Sequence, residues 1–137
     1  MLISENHETK GIFLLDMAHT RDETYRGLKE ITDRLSRKFA SPSIEPHVTL
    51  IGGFSGDFEH FIYSAETLSK QIKPFTVKLG HPVYLDEFFR SLFIHIEKTP
   101  QLLNAYDLAC ETYKNMGILF DPQGYLPHMS LLYGNLD

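Results

Sequence analysis

Apolar residues recur along this 137-residue chain with two periods, one typical of strands and one typical of helices. The run GIFLLD, Gly11–Asp16, is long enough for a buried strand and too short for a helix. Helical spacing follows Thr20 and Glu23, which stand three residues apart as in a capping box. This pattern predicts a helix of about five turns. Its apolar stripe consists of Tyr25, Leu28, Ile31, Leu35 and Phe39.

The middle of the chain repeats both periods. A second helix is predicted to begin near Asp57 and to stop at Pro74, because proline cannot continue a helix. Its apolar face consists of Phe58, Phe61, Ile62, Ala65, Leu68 and Ile72. Alternating apolar residues then predict two strands that form a hairpin through the connection LDEFF. They are Phe75, Val77 and Leu79 in the first strand and Leu92, Ile94 and Ile96 in the second.

A third helix is predicted where Thr99 can cap it and Pro100 occupies its first position. Its stripe consists of Leu103, Tyr106, Cys110 and Tyr113, and Gly117 can end it. The predicted order is strand, helix, strand, helix, strand, strand, helix, strand, which indicates an α+β fold. No linker rich in Gly, Ser or Pro interrupts the chain, so we expect one domain over residues 1–137.

Composition narrows the class of protein. Hydrophobic residues at 42% and charged residues at 23% are ordinary for a globular domain. The formal net charge of −5, with 13 scattered Lys and Arg residues, disfavours a partnership with long nucleic acid. Cys110 is the only cysteine, which excludes an internal disulfide. No stretch approaches the roughly 20 apolar residues of a membrane span, and the N-terminus lacks a signal peptide pattern, so we expect a cytoplasmic protein.

Two segments, EPHVTLIGG and LPHMSLLYG, are nearly alike. Each has Pro-His, a hydroxyl residue two places after the histidine, and a glycine where the strand is expected to end. Residues two apart share one face of a strand, so His47 and Thr49 point together, as do His128 and Ser130. The residues between them then face the core. If an approximate two-fold axis relates the strands, both imidazoles and both hydroxyls meet at one point.

Two histidines that titrate near neutrality can divide acid and base work, because one takes a proton from water while the other gives one to a leaving oxygen. The two hydroxyls can donate hydrogen bonds to non-bridging phosphate oxygens. A single His-x-Thr is more often an ordinary polar strand face, but two copies with matching flanks favour the functional interpretation. None of the remaining histidines has the His-x₃-His spacing of a zinc helix. They are His7, His19, His60, His81 and His95.

On these motifs, the chain resembles the two-histidine (2H) phosphoesterase superfamily, and within it the cyclic phosphodiesterase family. The resemblance rests on PHVTL, on PHMSLLYG and on FFRSLFI followed by TPQL, in family order, and extends over essentially the whole chain. It implies a two-lobed 2H phosphoesterase fold, with two antiparallel sheets facing across a central cleft and helices outside. Family members usually continue past the second motif with a helix and further strands, whereas this sequence stops at Asp137. We therefore expect a shortened second lobe, whose exposed sheet edge could pair with a second copy in a homo-oligomer.

The resemblance implies hydrolysis of a nucleoside 2′,3′-cyclic phosphate or of ADP-ribose 1″,2″-cyclic phosphate to a phosphomonoester, with no metal and no cofactor. By position, His47 and His128 would be the acid and the base, and Thr49 and Ser130 the phosphate ligands. Tyr133 would contact the substrate, although strand alternation places it opposite His128, so this role requires a bend near Gly134. Phe13 would stack on a base, or belongs to the core.

Alternatives remain open from the sequence. A 2H protein acting on RNA ends would need a positive path to the motifs, and a non-catalytic module would bind a phosphorylated nucleotide without turnover. Arg90 is either a solvated charge or a phosphate contact, and His95 is either a packed or surface histidine or part of the cleft. Four aromatic residues either border a nucleotide pocket or belong to the core. They are Tyr84, Phe88, Phe89 and Tyr125.

Overall fold

The computed structural model describes residues 2–5, 13–16, 22–55, 57–115, 117–118 and 124–134, with side chains described over 22–52, 57–115 and 124–134. These parts form an α+β fold, as the sequence predicts. In chain order the elements are β1 (Leu2–Glu5), β2 (Phe13–Asp16), α1 (Glu23–Phe39), β3 (Thr49–Ser55), α2 (Phe58–Ser69), β4 (Leu79–Val83), β5 (Leu92–Ile96), α3 (Pro100–Tyr113), β6 (Gly117–Ile118) and β7 (His128–Leu132). A single 3-10 turn, Phe88–Arg90, lies between β4 and β5.

The described strands form two antiparallel sheets. The first has the order β1-β2-β3-β6 and the second the order β4-β5-β7. Strand β3 continues from the first repeated segment and β7 contains the second, so each sheet holds one motif. The sequence did not predict β1 or β6, because strands of 4 and 2 residues offer too few positions to show alternation.

Polar caps set the starts of the helices. Asp22, and not the predicted Thr20, caps α1, since its Oδ1 accepts a hydrogen bond from the N–H of Tyr25 at 3.0 Å. A carboxylate is favoured there because it also meets the positive end of the helix dipole. The predicted cap Thr99 on α3 is confirmed, and so is the predicted start of α2 near Asp57, which caps that helix.

The buried faces of α1 and α3 differ from the predicted stripes. Of the stripe on α1, Ile31 and Phe39 are 37% and 49% exposed. The buried residues there are Tyr25, Thr32 and Ser36. On α3 the predicted Tyr113 is buried, whereas Leu103 is 37% exposed and Tyr106 and Cys110 are only partly buried. The other buried residues of this helix are Leu102, Ala105 and Ala109. This face of α3 packs against β3 and α2.

Two predicted boundaries are wrong in the segment that joins α2 to the second sheet. The strand is Leu79–Val83, whereas Phe75 and Val77 pack against the core without pairing in a sheet. A strand forms only where a neighbour offers backbone hydrogen bonds, and β5 does so only from Leu79 onward. Helix α2 ends at Ser69, well before Pro74.

The glycines near strand ends also differ from expectation. Gly117 begins β6 rather than ending α3, and Gly53 lies within β3 rather than at its exit. Gly134 does follow β7, and its φ of 145° is one that other residues rarely adopt. The second motif therefore ends in the expected turn, and the first does not.

The core lies between the helices and the two motif strands. Val48, Leu50, Met129 and Leu131, which alternate with the motif residues, are all buried in it, as predicted. Tyr113 is fully buried, its hydroxyl donates to the carbonyl of Phe61 at 3.1 Å, and burial raises its pKa to about 12. One core thus holds both motif strands from the side opposite to their polar residues.

Candidate active site

The first motif histidine lies in a loop fixed against α1. Thr32, which is fully buried on that helix, places its Oγ1 3.0 Å from the carbonyl oxygen of Ile44. Pro46 is also fully buried. His47 follows it, half-buried and just before β3, rather than within the strand as predicted.

Glu45 connects the same loop to α1 and to the histidine. Its carboxylate accepts a hydrogen bond from the Tyr25 hydroxyl and lies 3.3 Å from Lys29 Nζ. Its backbone carbonyl oxygen lies 2.6 Å from His47 Nδ1. The imidazole is therefore oriented by a segment that is itself anchored.

The second motif histidine repeats this arrangement. His128 is the first residue of β7, and its Nδ1 lies 2.8 Å from the carbonyl oxygen of Leu126, again two residues earlier. A carbonyl oxygen can only accept, so Nδ1 carries the hydrogen in both rings. In the neutral rings Nε2 is then the unprotonated nitrogen, which is the form that can take up a proton. The two halves of the chain prepare their imidazoles identically.

The surroundings of His128 favour its neutral form. Burial lowers the pKa of His128, the positive charges of Arg90 and His47 lower it further, and the Leu126 carbonyl and the Glu87 carboxylate act in the opposite direction. The two motif histidines, 81 residues apart in sequence, therefore interact through their charges, and Arg90 acts on His128 in the same way.

Ser130 shares a face of its strand with His128. Ser130 pairs with Phe93 in the same register that pairs His128 with His95, so Ser130 and His128 lie on one face of the second sheet. Ser130 is 4% exposed, and its Oγ donates to the carbonyl of Phe89 at 2.9 Å. Thr49 is half-buried and alternates with core residues, as predicted. A phosphate at Ser130 would therefore have to exchange for the Phe89 carbonyl.

The 3-10 turn is attached to β7 at three points. Besides the bond from Ser130, the Ser91 hydroxyl donates to the Leu132 carbonyl at 2.7 Å, and the N–H of Gly134 donates to the Phe88 carbonyl at 2.9 Å. These bonds fix the turn beside the strand that carries the second motif. Sequence patterns gave no sign of this attachment, because it joins groups about 40 residues apart.

The turn places Arg90 at the site. Its side chain is 19% exposed and its guanidinium lies 2.7 Å from the Glu87 carboxylate. The solvated-charge reading thus holds only in part, and a phosphate contact by Arg90 stays a prediction. Arg90 is a partly buried, ion-paired cation whose charge acts on His128.

The aromatic residues near the turn form a surface cluster rather than core. Phe88 and Phe89 are 43% and 61% exposed, and their ring centroids lie 6.4 and 5.3 Å from that of Tyr133. Tyr84 is 78% exposed. Phe13 begins β2, and its side chain lies outside the described part of the structure. Tyr133 is thus beyond the end of β7, next to exposed rings and near the bend at Gly134.

Tyr125 joins the two motifs. It lies just before the second motif, its ring stacks on Tyr106 of α3 at 4.0 Å between centroids, and burial raises its pKa. Its hydroxyl donates to the backbone carbonyl of Thr49 at 3.4 Å. Tyr125 is therefore a structural link between the segments rather than a pocket residue.

A cavity of about 550 Å³ lies on the core side of β3. Its walls are mostly apolar, and they include Tyr25, Leu28, Phe75 and Met129. His47 lines it, but His128, Thr49 and Ser130 do not. The cavity is consequently in contact with one of the four motif histidine and hydroxyl residues.

Two kinds of feature are absent from the described residues, a metal-binding cluster and a membrane-spanning helix. Within them, no three His, Cys, Asp or Glu side chains are grouped so that they could hold a metal ion. None of the helices in the described ranges has both the length and the apolar composition required to cross a bilayer.

Comparison with known proteins relates the chain to cyclic phosphodiesterases. The model of a family described as cyclic phosphodiesterase-like protein matches residues 12–137. A cyclic phosphodiesterase of Arabidopsis thaliana is 24% identical over 115 residues, which cover 84% of this chain and 61% of the relative. The chain thus spans about three-fifths of the length of this relative.

Proposed function

Since this chain belongs to the cyclic phosphodiesterase-like protein family, we propose that it hydrolyses a small cyclic phosphodiester to a phosphomonoester. The proposed substrates are a nucleoside 2′,3′-cyclic phosphate or ADP-ribose 1″,2″-cyclic phosphate. The observation that supports this proposal is the matched pair of imidazoles: each is bonded through Nδ1 to the carbonyl two residues earlier, and the charge of His47 acts on His128. In this proposal the two sheets are the two lobes, and the substrate lies in a cleft between them.

The proposed chemistry needs only the two histidines and water. His128 is the base, because burial and Arg90 favour its neutral form. Its Nε2 takes a proton from water, the water oxygen forms a bond to phosphorus, and one ring P–O bond breaks. His47, protonated, gives its proton to the departing oxygen, and proton exchange with solvent restores both rings. Each role contributes about 10² to 10⁴ in rate.

Hydroxyl groups and the nearby cation hold the charge that develops on the phosphate. Thr49 and Ser130 donate to the non-bridging oxygens, Ser130 by rotating from the Phe89 carbonyl. Arg90 contributes positive charge from the turn. The nucleoside is proposed to contact Tyr133 and the exposed rings beside it, and Phe13 remains a proposed stacking residue.

Phosphorus NMR tests the proposal directly. The protein is incubated with a 2′,3′-cyclic nucleotide in excess chelator, and the phosphomonoester signals report both turnover and the position of the phosphate. We expect turnover that survives chelation and falls by at least about 10² in His47→Ala and in His128→Ala. His60→Ala, at an exposed position on α2, is the matched control and should retain activity.

Other outcomes would overturn the proposal. Undiminished activity in either motif variant would exclude the two-histidine mechanism. Binding of the cyclic nucleotide without turnover by the wild-type protein would favour a non-catalytic nucleotide-binding module. Turnover of oligoribonucleotide ends in preference to mononucleotides would assign the protein to RNA ends.

A further inference from the structure

Three histidines lie in a row across the second sheet. His95 of β5 is the registered partner of His128, and directly paired residues place their side chains on the same face with Cβ atoms about 4.5–5.5 Å apart. The ring of His81, on β4, stacks on that of His95, with centroids 6.3 Å apart and planes 14° apart. The row therefore begins at the motif histidine and extends across three strands.

The backbone of β4 is adapted to place His81. The β4–β5 register shifts between Leu79 and Pro82, which marks a bulge, and bulges redirect side chains. Gly80 lies at this shift, where a Cβ would come within 2.9 Å of the His95 carbonyl oxygen. Only glycine allows the two strands to approach this closely without displacement. The stacking of His81 on His95 thus depends on a specific local irregularity.

The row is accessible from solvent at its outer end. His128 and His95 are half-buried, and His81 is exposed. Within the described residues, no hydrogen bond or ion pair engages the imidazole of His81 or His95. Their ring N–H groups are consequently available to a ligand.

We propose that His95 and His81 form a second anion subsite, adjacent to the reacting phosphate at His128, that binds a further phosphate group of the substrate. Imidazole N–H groups donate to phosphate oxygens, and the negative charge of the phosphate strengthens such bonds. This inference rests on the proposed function for the position of the reacting phosphate. It names the substrate class as a cyclic nucleotide with an additional phosphate, such as a nucleoside 5′-phosphate 2′,3′-cyclic phosphate.

Steady-state kinetics tests the subsite. Wild-type protein should show a KM about tenfold lower for adenosine 5′-phosphate 2′,3′-cyclic phosphate than for adenosine 2′,3′-cyclic phosphate, because one or two charge-assisted hydrogen bonds are added. The double variant His81→Gln, His95→Gln should lose this difference, with kcat on the unphosphorylated substrate unchanged. His60→Gln is the matched control. Equal KM values for the two substrates in wild-type protein, or an undiminished difference in the double variant, would overturn the proposal.

Binding without catalysis separates this inference from the proposed function. Adenosine 5′-monophosphate has no cyclic phosphate, and its addition should shift the NMR signals of the His81 and His95 ring C–H groups. In the single variant His81→Gln the shift of the His95 ring signals should be smaller, and in His95→Gln the shift of the His81 ring signals should be smaller. If no cyclic phosphate is hydrolysed but these shifts occur, the proposed function fails and the subsite stands. If turnover occurs and the shifts do not, the subsite is wrong and the proposed function stands.

Discussion

At the scale of single residues, the backbone prepares the reactive nitrogens. His47 and His128 each use Nδ1 to donate to a carbonyl two residues earlier, which leaves Nε2 as the acceptor in the neutral ring. His128 is in addition held towards its neutral form by burial and by Arg90. The result is a residue suited to take a proton, and two predictions follow from its surroundings.

The lowered pKa of His128 predicts a pH dependence of stability. An imidazole in the unfolded chain binds a proton near its ordinary pKa of about 6.5, whereas folded His128 binds it only at lower pH. As pH falls below about 6.5, the unfolded state takes up more protons than the folded state, so the free energy of unfolding decreases. In urea denaturation at a series of pH values, His128→Gln should show a smaller decrease than wild type. If the free energy of unfolding decreases equally with falling pH in both proteins, the lowered pKa of His128 is not the cause.

Removal of the Arg90 charge should change the pH profile of the enzyme. Arg90→Gln takes away a positive charge that lowers the pKa of His128, so that pKa should rise. If His128 is the base, the acid limb of kcat/KM moves to higher pH. Arg90→Lys keeps the positive charge, so the acid limb of kcat/KM should lie close to its wild-type pH. An unmoved limb in Arg90→Gln would show that Arg90 does not tune the base.

At the scale of elements, short polar links hold the two motif strands in relation to each other. The 3-10 turn is bonded to β7 through Ser130, Ser91 and Gly134. Tyr125 connects α3 to the backbone of β3. The apolar core also holds these elements together. Single substitutions can therefore measure how much each polar link adds to the free energy of unfolding.

Substitution of Tyr125 should separate a hydrogen bond from packing. Tyr125→Phe removes only the bond to the Thr49 carbonyl and should cost about 1 kcal/mol in the free energy of unfolding. Tyr125→Ala also removes the ring that stacks on Tyr106 and should cost about 3 kcal/mol. We expect activity to fall further in Tyr125→Ala, since the motifs lose their link. Equal costs in urea denaturation would show that the ring contributes nothing.

Gly80→Ala tests the bulge in β4. The added Cβ meets the His95 carbonyl oxygen, which belongs to the backbone and cannot rotate away. We expect a loss of about 1–3 kcal/mol in the free energy of unfolding, typical of overpacking. The NMR signals of the His81 ring should shift at the same time, because the stacked geometry changes. Gly27→Ala, where a Cβ has nothing within 4 Å, is the control and should not destabilise the protein.

At the scale of the whole molecule, the proposed site needs residues from both sheets on an acidic protein. The net charge is −5, yet the positive charges of Arg90 and His47 both act on His128. Local positive charge at this position suits a small anion, whereas no extended basic surface is implied by 13 scattered Lys and Arg residues. A ligand that bridges the two motifs should therefore stabilise the fold as a unit.

Binding of a nucleoside 2′-monophosphate should raise the melting temperature. At a hundredfold excess over its dissociation constant, a ligand that binds only the folded state adds about 2.7 kcal/mol to the free energy of unfolding. The shift, measured by differential scanning calorimetry, should diminish strongly in His47→Ala and in His128→Ala alike. A shift lost in only one of these variants would mean that a single sheet binds the ligand.

Much of the local structure could be predicted from the sequence, because the determining residues are neighbours in the chain. The caps of α2 and α3 depend on side chains within three residues of their partners. The alternation around His128 follows from the period of a strand. Helix faces and strand limits were predicted less well, since they depend on which neighbour packs against them. Leu103 and Phe75 were each assigned from apolar character alone, and tertiary packing placed both differently.

By itself, the sequence determined the α+β class, the alternation of polar and core residues in the two motifs, and the identity of the paired histidines and hydroxyls. Only the tertiary structure decided that the charges of His47 and Arg90 act on His128 and that Tyr125 reaches Thr49. It likewise placed His81 and His95 in line with the second motif. The physical reason is that strand register and sheet position minimise the free energy of the whole core, and no local pattern encodes that sum.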